Sequence, residues 1–337
     1  MHIIIPDDYQ DCVRYLGCFE KLLGHSVQVF NDSTKDVAQL ASRLALAEAL
    51  VLTRERTVIS ASLLEQLPRL RLISQTGRAG SHIDIDACTR YGVAITETQS
   101  TGNSTAELAW ALILASRRHI VEERNRLRDG LWQGHLGQQL YGSRLGIWGY
   151  GRIGRQVAAY GKAFGMRVWV WGSSASRSRA IEDGYEAAFS RETFFEQSDV
   201  LSVHLRLAPT TRGIITRSDL ERMKPTALFV NTSRAELVQP QALEHAVRHG
   251  RPGFAAIDVF ESEPVLGARD PLLHLPNVLC TPHIGFVERN NYESMYGQAF
   301  DNILSYLQGR RDHLLNPEAA EHERLQTNKS IERRGQR

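Results

Sequence analysis

Short apolar runs, each bounded by Gly, Pro, Ser or Asp, recur along the chain and are separated by stretches with apolar residues at helical spacing. In the first hundred residues the runs are 3–5, 27–30, 49–52, 70–74 and 93–96, which read as strands. Between them 12–23, 37–46 and 62–67 carry the helical pattern, with Gly24 as a C-cap for the first and Pro68 stopping the last. From Thr105 to Arg128 one long helix is expected, apolar in ELAWALILA, then charged in RRHIVEERNRLRD, and ended by Gly130. Its length suits a connector between two lobes. A second alternating series follows at 145–148, 168–171, 200–205, 228–231, 255–259 and 278–281, and a long helical pattern then covers 288–307. Strands alternating with helices imply an α/β architecture of parallel sheets with helices on their faces. Residues 318–337 lack apolar periodicity and read as a mobile tail.

The chain has 337 residues, about two domains at roughly 150 residues each. With 42% hydrophobic and 23% charged residues, disorder, collagen and a disulfide-stapled miniprotein are excluded. Forty Lys and Arg against 38 Asp and Glu argue against a dedicated nucleic-acid or membrane-surface binder. Cys12, Cys18, Cys88 and Cys280 form no C-x-x-C pair, so they read as reduced thiols of a cytoplasmic protein, with no metal site expected. The start, MHIIIPDDYQD, reads as a strand and not a signal peptide. The apolar stretch 106–116 is short of the roughly 20 residues that span a bilayer.

The clearest local motif is Gly149-Tyr150-Gly151-Arg152-Ile153-Gly154. It follows the strand LGIW, opens a helix expected over 155–164, and a second strand comes next. That context marks a dinucleotide site. Gly149 makes the tight turn, Gly151 admits the pyrophosphate close to the backbone, and Gly154 lets helix and sheet approach. The helix N-terminus supplies N–H groups to the phosphates. About 20 residues further on, an Asp or Glu would bond the adenosine 2′-OH. Here the strand ends in Gly172-Ser173-Ser174-Ala175-Ser176-Arg177-Ser178-Arg179, with hydroxyls and two arginines but no carboxylate. Ser173 and Arg177 therefore favour NADP(H) over NAD(H), because a guanidinium binds the 2′-phosphate that a carboxylate repels. Trp110, Trp148, Trp169 and Trp171 read as packing residues.

Three later segments fall at strand ends: Asn231-Thr232-Ser233-Arg234, then Asp258-Val259-Phe260-Glu261-Ser262-Glu263-Pro264, then Thr281-Pro282-His283-Ile284-Gly285. Ligands bind beyond the carboxyl ends of strands in open α/β sheets. An Arg, a Glu and a His converging beside a nicotinamide would make a 2-keto acid reductase. Arg234 would clamp the carboxylate and polarise the keto oxygen. His283 would donate the proton, oriented by Glu263.

With GYGRIG, SVHLRLAPTTRGII, the order Arg234…Glu263…His283, DVFESEP and TPHIG all present, the sequence resembles the D-isomer-specific 2-hydroxyacid dehydrogenase family to about residue 310. The resemblance places the family's substrate Arg on Arg234, its orienting Glu on Glu263 and its acid–base His on His283. It places cofactor-side positions on His204, Thr232 and Asp258, and a loop holding the substrate carboxylate through backbone N–H groups on Gly77-Arg78-Ala79. It implies a Rossmann dinucleotide-binding domain (105–287) inserted in a smaller flavodoxin-like α/β substrate domain (1–104 and 288–317), an active site in the cleft between them, and a homodimer. Departures from the family pattern are Ala235 for Gly, Ala79 followed by Gly80, Arg206 for Pro and Gly172 for the ribose Asp. Arg54 and Arg78 are candidates to meet a second anionic group on the substrate. A nucleotide-sensing binding protein resembling the C-terminal-binding corepressors of this fold is the alternative function.

Overall fold

The structure is a computed structural model and describes residues 1–319 and 321. The chain forms two compact units, residues 1–100 together with the segment from 289 onward, and residues 101–288. In the first, strands β1 (His2–Ile5), β2 (Ser26–Val29), β3 (Ala49–Leu52), β4 (Leu72–Gln75) and β5 (Ala94–Glu97) pair in parallel in the flavodoxin-like order β2-β1-β3-β4-β5. β3 and β4 are buried along their whole length, because helices cover both faces of the sheet. Leu44, Leu63, Leu64 and Ala87 pack on Ile4, Leu50, Leu52 and Ile73. On the other face the helix Arg289–Leu307 lies against the sheet, with Ser74 Oγ donating to Ala299 O at 2.9 Å and Thr53 Oγ1 2.8 Å from Tyr296 Oη.

The second unit holds β6 (Arg144–Trp148), β7 (Arg167–Trp171), β8 (Glu186–Ala187), β9 (Val200–Val203), β10 (Leu228–Asn231), β11 (Phe254–Ile257) and β12 (Val278–Cys280). All are parallel, in the order β12-β11-β10-β9-β6-β7-β8. The chain winds outward from β6 to β8 and then returns to the other side of β6 with β9. The order therefore reverses between β6 and β9, which is the Rossmann arrangement. Side chains alternate between two cores, as the period of a strand requires. Leu145, Ile147, Val168, Val170 and Val230 face one, and Trp148, Trp169, Leu201, Phe229 and Ile257 face the other.

Two expectations fail locally, each for a visible reason, and one run that was given no element proves helical. The stretch 12–23 is not an α-helix but two 3-10 turns, Val13–Tyr15 and Gly17–Leu22. Carboxylates from elsewhere take its N–H groups: Asp8 accepts from Val13 N, and Glu293 from Gly17 N and Cys18 N. The long helix expected over 105–128 is two, Asn103–Arg117 and Ile120–Arg128, broken at His119, which takes φ +51°. The Arg117 carbonyl accepts from Gln138 N at 2.8 Å instead of from the next helical turn. The buried Arg117 guanidinium donates to the carbonyls of Thr226 and Asp199 and to Gln138 Oε1. Lastly, the run after Gly172 is the helix Ser174–Glu182, capped by Ser173 Oγ, which accepts from Ser176 N at 3.2 Å.

Most of the segment 318–337, expected as a tail, lies outside the described residues, although Ala319 is fully buried. Just before it, Asn316 is locked onto β5 and its approach. Its Oδ1 accepts from Ile95 N at 2.8 Å, and its Nδ2 donates to Val93 O and Thr89 Oγ1, each at 3.0 Å. Asn316→Ala would orphan buried backbone groups. It is expected to lower unfolding stability by about 2–3 kcal/mol, read as a shift in the urea midpoint at unchanged m-value.

Candidate active site

Because all seven strands of the second sheet are parallel, β6, β9, β10, β11 and β12 deliver Gly149, His204, Thr232, Asp258 and Thr281 to one edge. Gly149 ends β6 at φ +97°, with its N–H on Trp171 O, and a Cβ there would lie 2.6 Å from His204 O. Gly154 cannot carry a Cβ either, because it would overlap the Gly149 carbonyl. Gly151 differs: nothing lies within 4 Å of where its Cβ would stand. It is the N-cap of the helix Arg152–Ala163, and no side chain caps that terminus. Ile153 packs inward and Arg152 opens the helix. Tyr150 turns away from this edge, and its buried hydroxyl donates to Asp183 Oδ2 at 2.8 Å. Two buried polar atoms beside the motif, His204 Nδ1 and Thr232 Oγ1, have no hydrogen-bond partner among the described residues. Buried polar atoms are almost always satisfied, so a cradle with open space, unpaired helix N–H groups and two orphaned atoms fits a phosphate-bearing dinucleotide. Burial keeps the His204 ring neutral, its pKa pushed down to about 3, and its Nε2 lies 2.9 Å from Ser202 Oγ.

At the end of β7, Gly172 takes φ +152°, a region that L side chains rarely enter. The carboxylate missing at this position is thus also one the backbone disfavours. Ser173, expected at the ribose, is occupied as the helix cap and also donates to Ser176 Oγ at 3.1 Å. Arg177 lies over the Trp171 ring, Cζ 4.9 Å from the centroid.

Next to these, His283 Nδ1 donates to Glu263 Oε2 at 2.6 Å, and Glu263 Oε1 accepts from Phe260 N at 3.0 Å. Burial pushes the Glu263 carboxyl up, but the bond and charge of His283, the Phe260 N–H and the Arg234 charge together hold it below its ordinary value. An imidazole tied through Nδ1 to a carboxylate presents Nε2 as its second proton-carrying atom. Arg234 follows β10, with Nη1 donating to Ser233 O at 2.6 Å. Its backbone is fixed by Asn231, whose Nδ2 donates to Arg234 O at 2.9 Å.

Asp258 was expected at the nicotinamide, and its contacts also give it a local task. It is fully buried and accepts from Thr281 Oγ1 at 2.6 Å, from Ile284 N at 2.8 Å and from Gly285 N at 2.8 Å. These contacts staple the turn that holds His283 at φ +51°. Burial raises the Asp258 carboxyl above its ordinary value despite those donors. Thr105 belongs to the same staple, Oγ1 donating to Gly285 O at 2.9 Å. It has no motif of its own, so the sequence did not single it out. Cys280 is half-buried, and burial pushes its thiol up to about 12.

In the other unit, the loop Gly77-Arg78-Ala79 has two of its amides occupied. Gly77 N donates to Thr98 Oγ1 at 2.7 Å and Ala79 N to Glu97 Oε2 at 3.1 Å. Arg78 is exposed. Arg54, at φ +54°, lays its guanidinium where a Gly77 side chain would stand.

Residues 110–285 match the family described as D-isomer specific 2-hydroxyacid dehydrogenase, NAD binding domain. A glyoxylate reductase of Aeropyrum pernix is 41% identical over 263 residues, covering 75% of this chain and 78% of that protein. A solved phosphoglycerate oxidoreductase from Vibrio cholerae is 51% identical with a TM-score of 0.90, over 92% of this chain and 99% of that one. A solved oxidoreductase from Ralstonia solanacearum is 52% identical with a TM-score of 0.92, over 95% and 98%.

The Asp258 staple gives a direct test. In Asp258→Asn an amide donor must face one of the three donors that the carboxylate now accepts. The expected result is a loss of about 2 kcal/mol in urea unfolding, with faster amide exchange at Gly285.

Proposed function

The chain belongs to the D-isomer specific 2-hydroxyacid dehydrogenase family, and on that premise we propose that it transfers a hydride between NADP(H) and a small 2-keto acid/D-2-hydroxy acid pair. The observation that carries the reading is the 2.6 Å bond from His283 Nδ1 to Glu263 Oε2. The Gly149–Gly154 cradle would hold the dinucleotide, which would supply the hydride for reduction and accept it in the reverse direction. His283 Nε2 gives the proton that turns the keto oxygen into a hydroxyl, and takes it back in the reverse direction. Glu263 holds the ring's tautomer and orientation. Arg234 clamps the substrate carboxylate in a planar fork and polarises the keto group. His204 and Thr232 bring their orphaned Nδ1 and Oγ1 to the cofactor side. Gly77, Arg78 and Ala79 belong to the other unit, and their part in holding the carboxylate rests on the family likeness of that loop. Relatives named for glyoxylate and for phosphoglycerate make glyoxylate, hydroxypyruvate and phosphohydroxypyruvate the first substrates to try. Arg54, seated on Gly77, favours those with a second anionic group. The absent carboxylate at Gly172 and the nearby Arg177 favour NADPH.

The test is steady-state reduction of these keto acids with NADPH and with NADH. Turnover supports the reaction class, and a preference for NADH overturns the cofactor reading alone. No turnover over a wider keto-acid panel, with tight dinucleotide binding, favours a nucleotide-sensing protein. His283→Gln is expected to lower kcat at least about 10²-fold with dinucleotide affinity unchanged; an unchanged rate removes His283 from the mechanism. Because the bond to His283 lowers the Glu263 pKa, the pair is fully made at neutral pH and is lost as the pH falls through that lowered value. Glu263→Gln removes the carboxylate that fixes the His283 tautomer and orientation, so kcat for reduction should fall at least about 10-fold while dinucleotide affinity is unchanged.

A homodimer built on the 101–288 unit belongs to the same reading. Residues 131–139 form neither helix nor strand and are exposed throughout. They display Trp132 at 74% exposure and Leu136 at 95%. The stretch is nevertheless pinned: Leu131 N donates to Arg126 O at 2.8 Å, and Gly134 N and His135 Nδ1 donate to Glu123. A fixed arm showing large apolar groups suits a second copy. Leu136→Asp is expected to yield monomers in analytical ultracentrifugation, whereas a dimer of unchanged affinity places the interface elsewhere.

A further inference from the structure

Three Arg–Trp stacks share the sheet of the second unit, and one differs from the others. Arg144 lies over Trp169 at 4.5 Å, and its Nη1 donates to Gln197 Oε1 at 2.5 Å. Arg191 lies over Trp148 at 5.2 Å, and its guanidinium is met by the Asp219 carboxylate and the Ile214 carbonyl. Arg177 lies over Trp171 at 4.9 Å, yet no carbonyl or carboxylate among the described residues accepts from it, and its Nε is buried without a partner. Two of these cations are structural and satisfied. The third is held in place with its donors unspent.

Its position follows from the chain. Alternation along β7 puts Val168 and Val170 into one core and Trp169 into the other. Trp171, the last residue of the strand, packs half-buried against the same side as Trp169. Arg177 is one turn into the helix Ser174–Glu182, its N–H on Ser173 O at 3.0 Å, so strand end and cap together set its Cα. Arg179, two residues on, points to the opposite face of that helix. The acidic Asp183 sits at the far end and is taken by Tyr150 and Arg155.

We propose that Trp171, expected from the sequence to be a packing residue, is a positioning residue for cofactor selection, its indole face holding Arg177 ready for the 2′-phosphate of NADP(H). The proposal rests on the NADP(H) reading above. A guanidinium is weakly hydrated and stacks on an aromatic face while keeping its in-plane donors available. A long side chain already ordered in this way gives up less conformational freedom when an anion arrives. The arrangement explains how a strand end without a ribose carboxylate can still discriminate between the two dinucleotides. Selectivity here is the charge of Arg177 multiplied by the order that Trp171 imposes on it.

The experiment is calorimetric titration of the full chain with adenosine 2′,5′-bisphosphate and with 5′-AMP, alongside kcat/KM for NADPH and NADH. Arg177→Leu is expected to weaken the bisphosphate on the order of 30-fold. Trp171→Leu should weaken it about five-fold, and Trp171→Phe should retain most of the wild-type affinity. None of the three should change 5′-AMP binding. The Trp171→Leu/Arg177→Leu double variant should lose no more than Arg177→Leu alone, since the indole acts only through the guanidinium. A Trp171→Leu variant that keeps wild-type bisphosphate affinity while Arg177→Leu loses it overturns the role of Trp171 and leaves the NADP(H) reading standing. Equal weakening of both ligands by Trp171→Leu marks a merely structural residue and also overturns it. A wild-type protein that binds the bisphosphate no better than 5′-AMP overturns the NADP(H) reading itself, and this proposal with it.

Discussion

Seven strands running the same way are the constraint on which the second unit depends. A parallel sheet puts every strand's carboxyl end at one edge, and the reversal of order between β6 and β9 opens that edge where the crossovers depart to either side. Gly149, His204, Thr232, Arg234, Asp258 and His283 come from sequence positions up to 134 residues apart, 149 to 283, but each follows directly on one of five strands or on the turn after it. No long-range side-chain contact is needed to gather them; register does it. The burial of the strands then fixes the edge, because a slip of one residue would exchange the two cores on either face.

What the edge does chemically is decided by how its polar groups are satisfied. Asp258 is saturated by three donors and so spends its charge on holding a turn. Glu263 splits its two oxygens between a backbone N–H and His283, and the nearby cations keep it ionised in spite of burial. His204 is kept neutral by burial. A neutral imidazole, an ionised carboxylate and an imidazole bonded to that carboxylate thus stand on neighbouring strand ends, each in a different state set by its surroundings. At the same edge, among the described residues, His204 Nδ1 and Thr232 Oγ1 have no partner and no side chain caps the start of the helix Arg152–Ala163.

The strands were legible in the sequence because each is a short apolar run closed by a turn residue, and the Gly149–Gly154 motif was legible because its glycines are demanded by backbone approach. Arg234, Glu263 and His283 were singled out because each falls at a strand end within a segment that resembles the family's. What escaped was whatever depends on distant partners. The stretch 12–23 has a helix's apolar spacing, but Asp8 and Glu293 reach in and take its N–H groups. The helix over 105–128 has no Pro or Gly to announce a break; the break comes from Gln138, which claims the Arg117 carbonyl from twenty-one residues away. Thr105 looked like an ordinary start of a helix, because its bond to Gly285 spans 180 residues. Local propensity cannot report a competitor of that kind.

The strand end after Trp171 shows the same limit in a more useful form. The sequence offers four serine hydroxyls and two arginines there, and composition alone treats them as equivalent anion binders. Folding separates them. Ser173 becomes a cap, so its oxygen accepts from the backbone and its hydroxyl is turned to Ser176. Arg179 is placed two residues beyond Arg177 on a helix, hence on another face. Gly172 adopts a backbone that a carboxylate-bearing residue would resist. Among these groups, Arg177 is left with a buried donor that has no partner among the described residues, and it lies on an aromatic ring. A run read from the sequence as a cluster of equivalent anion binders thus folds with Ser173 committed as a helix cap and the Arg177 guanidinium stacked on an indole.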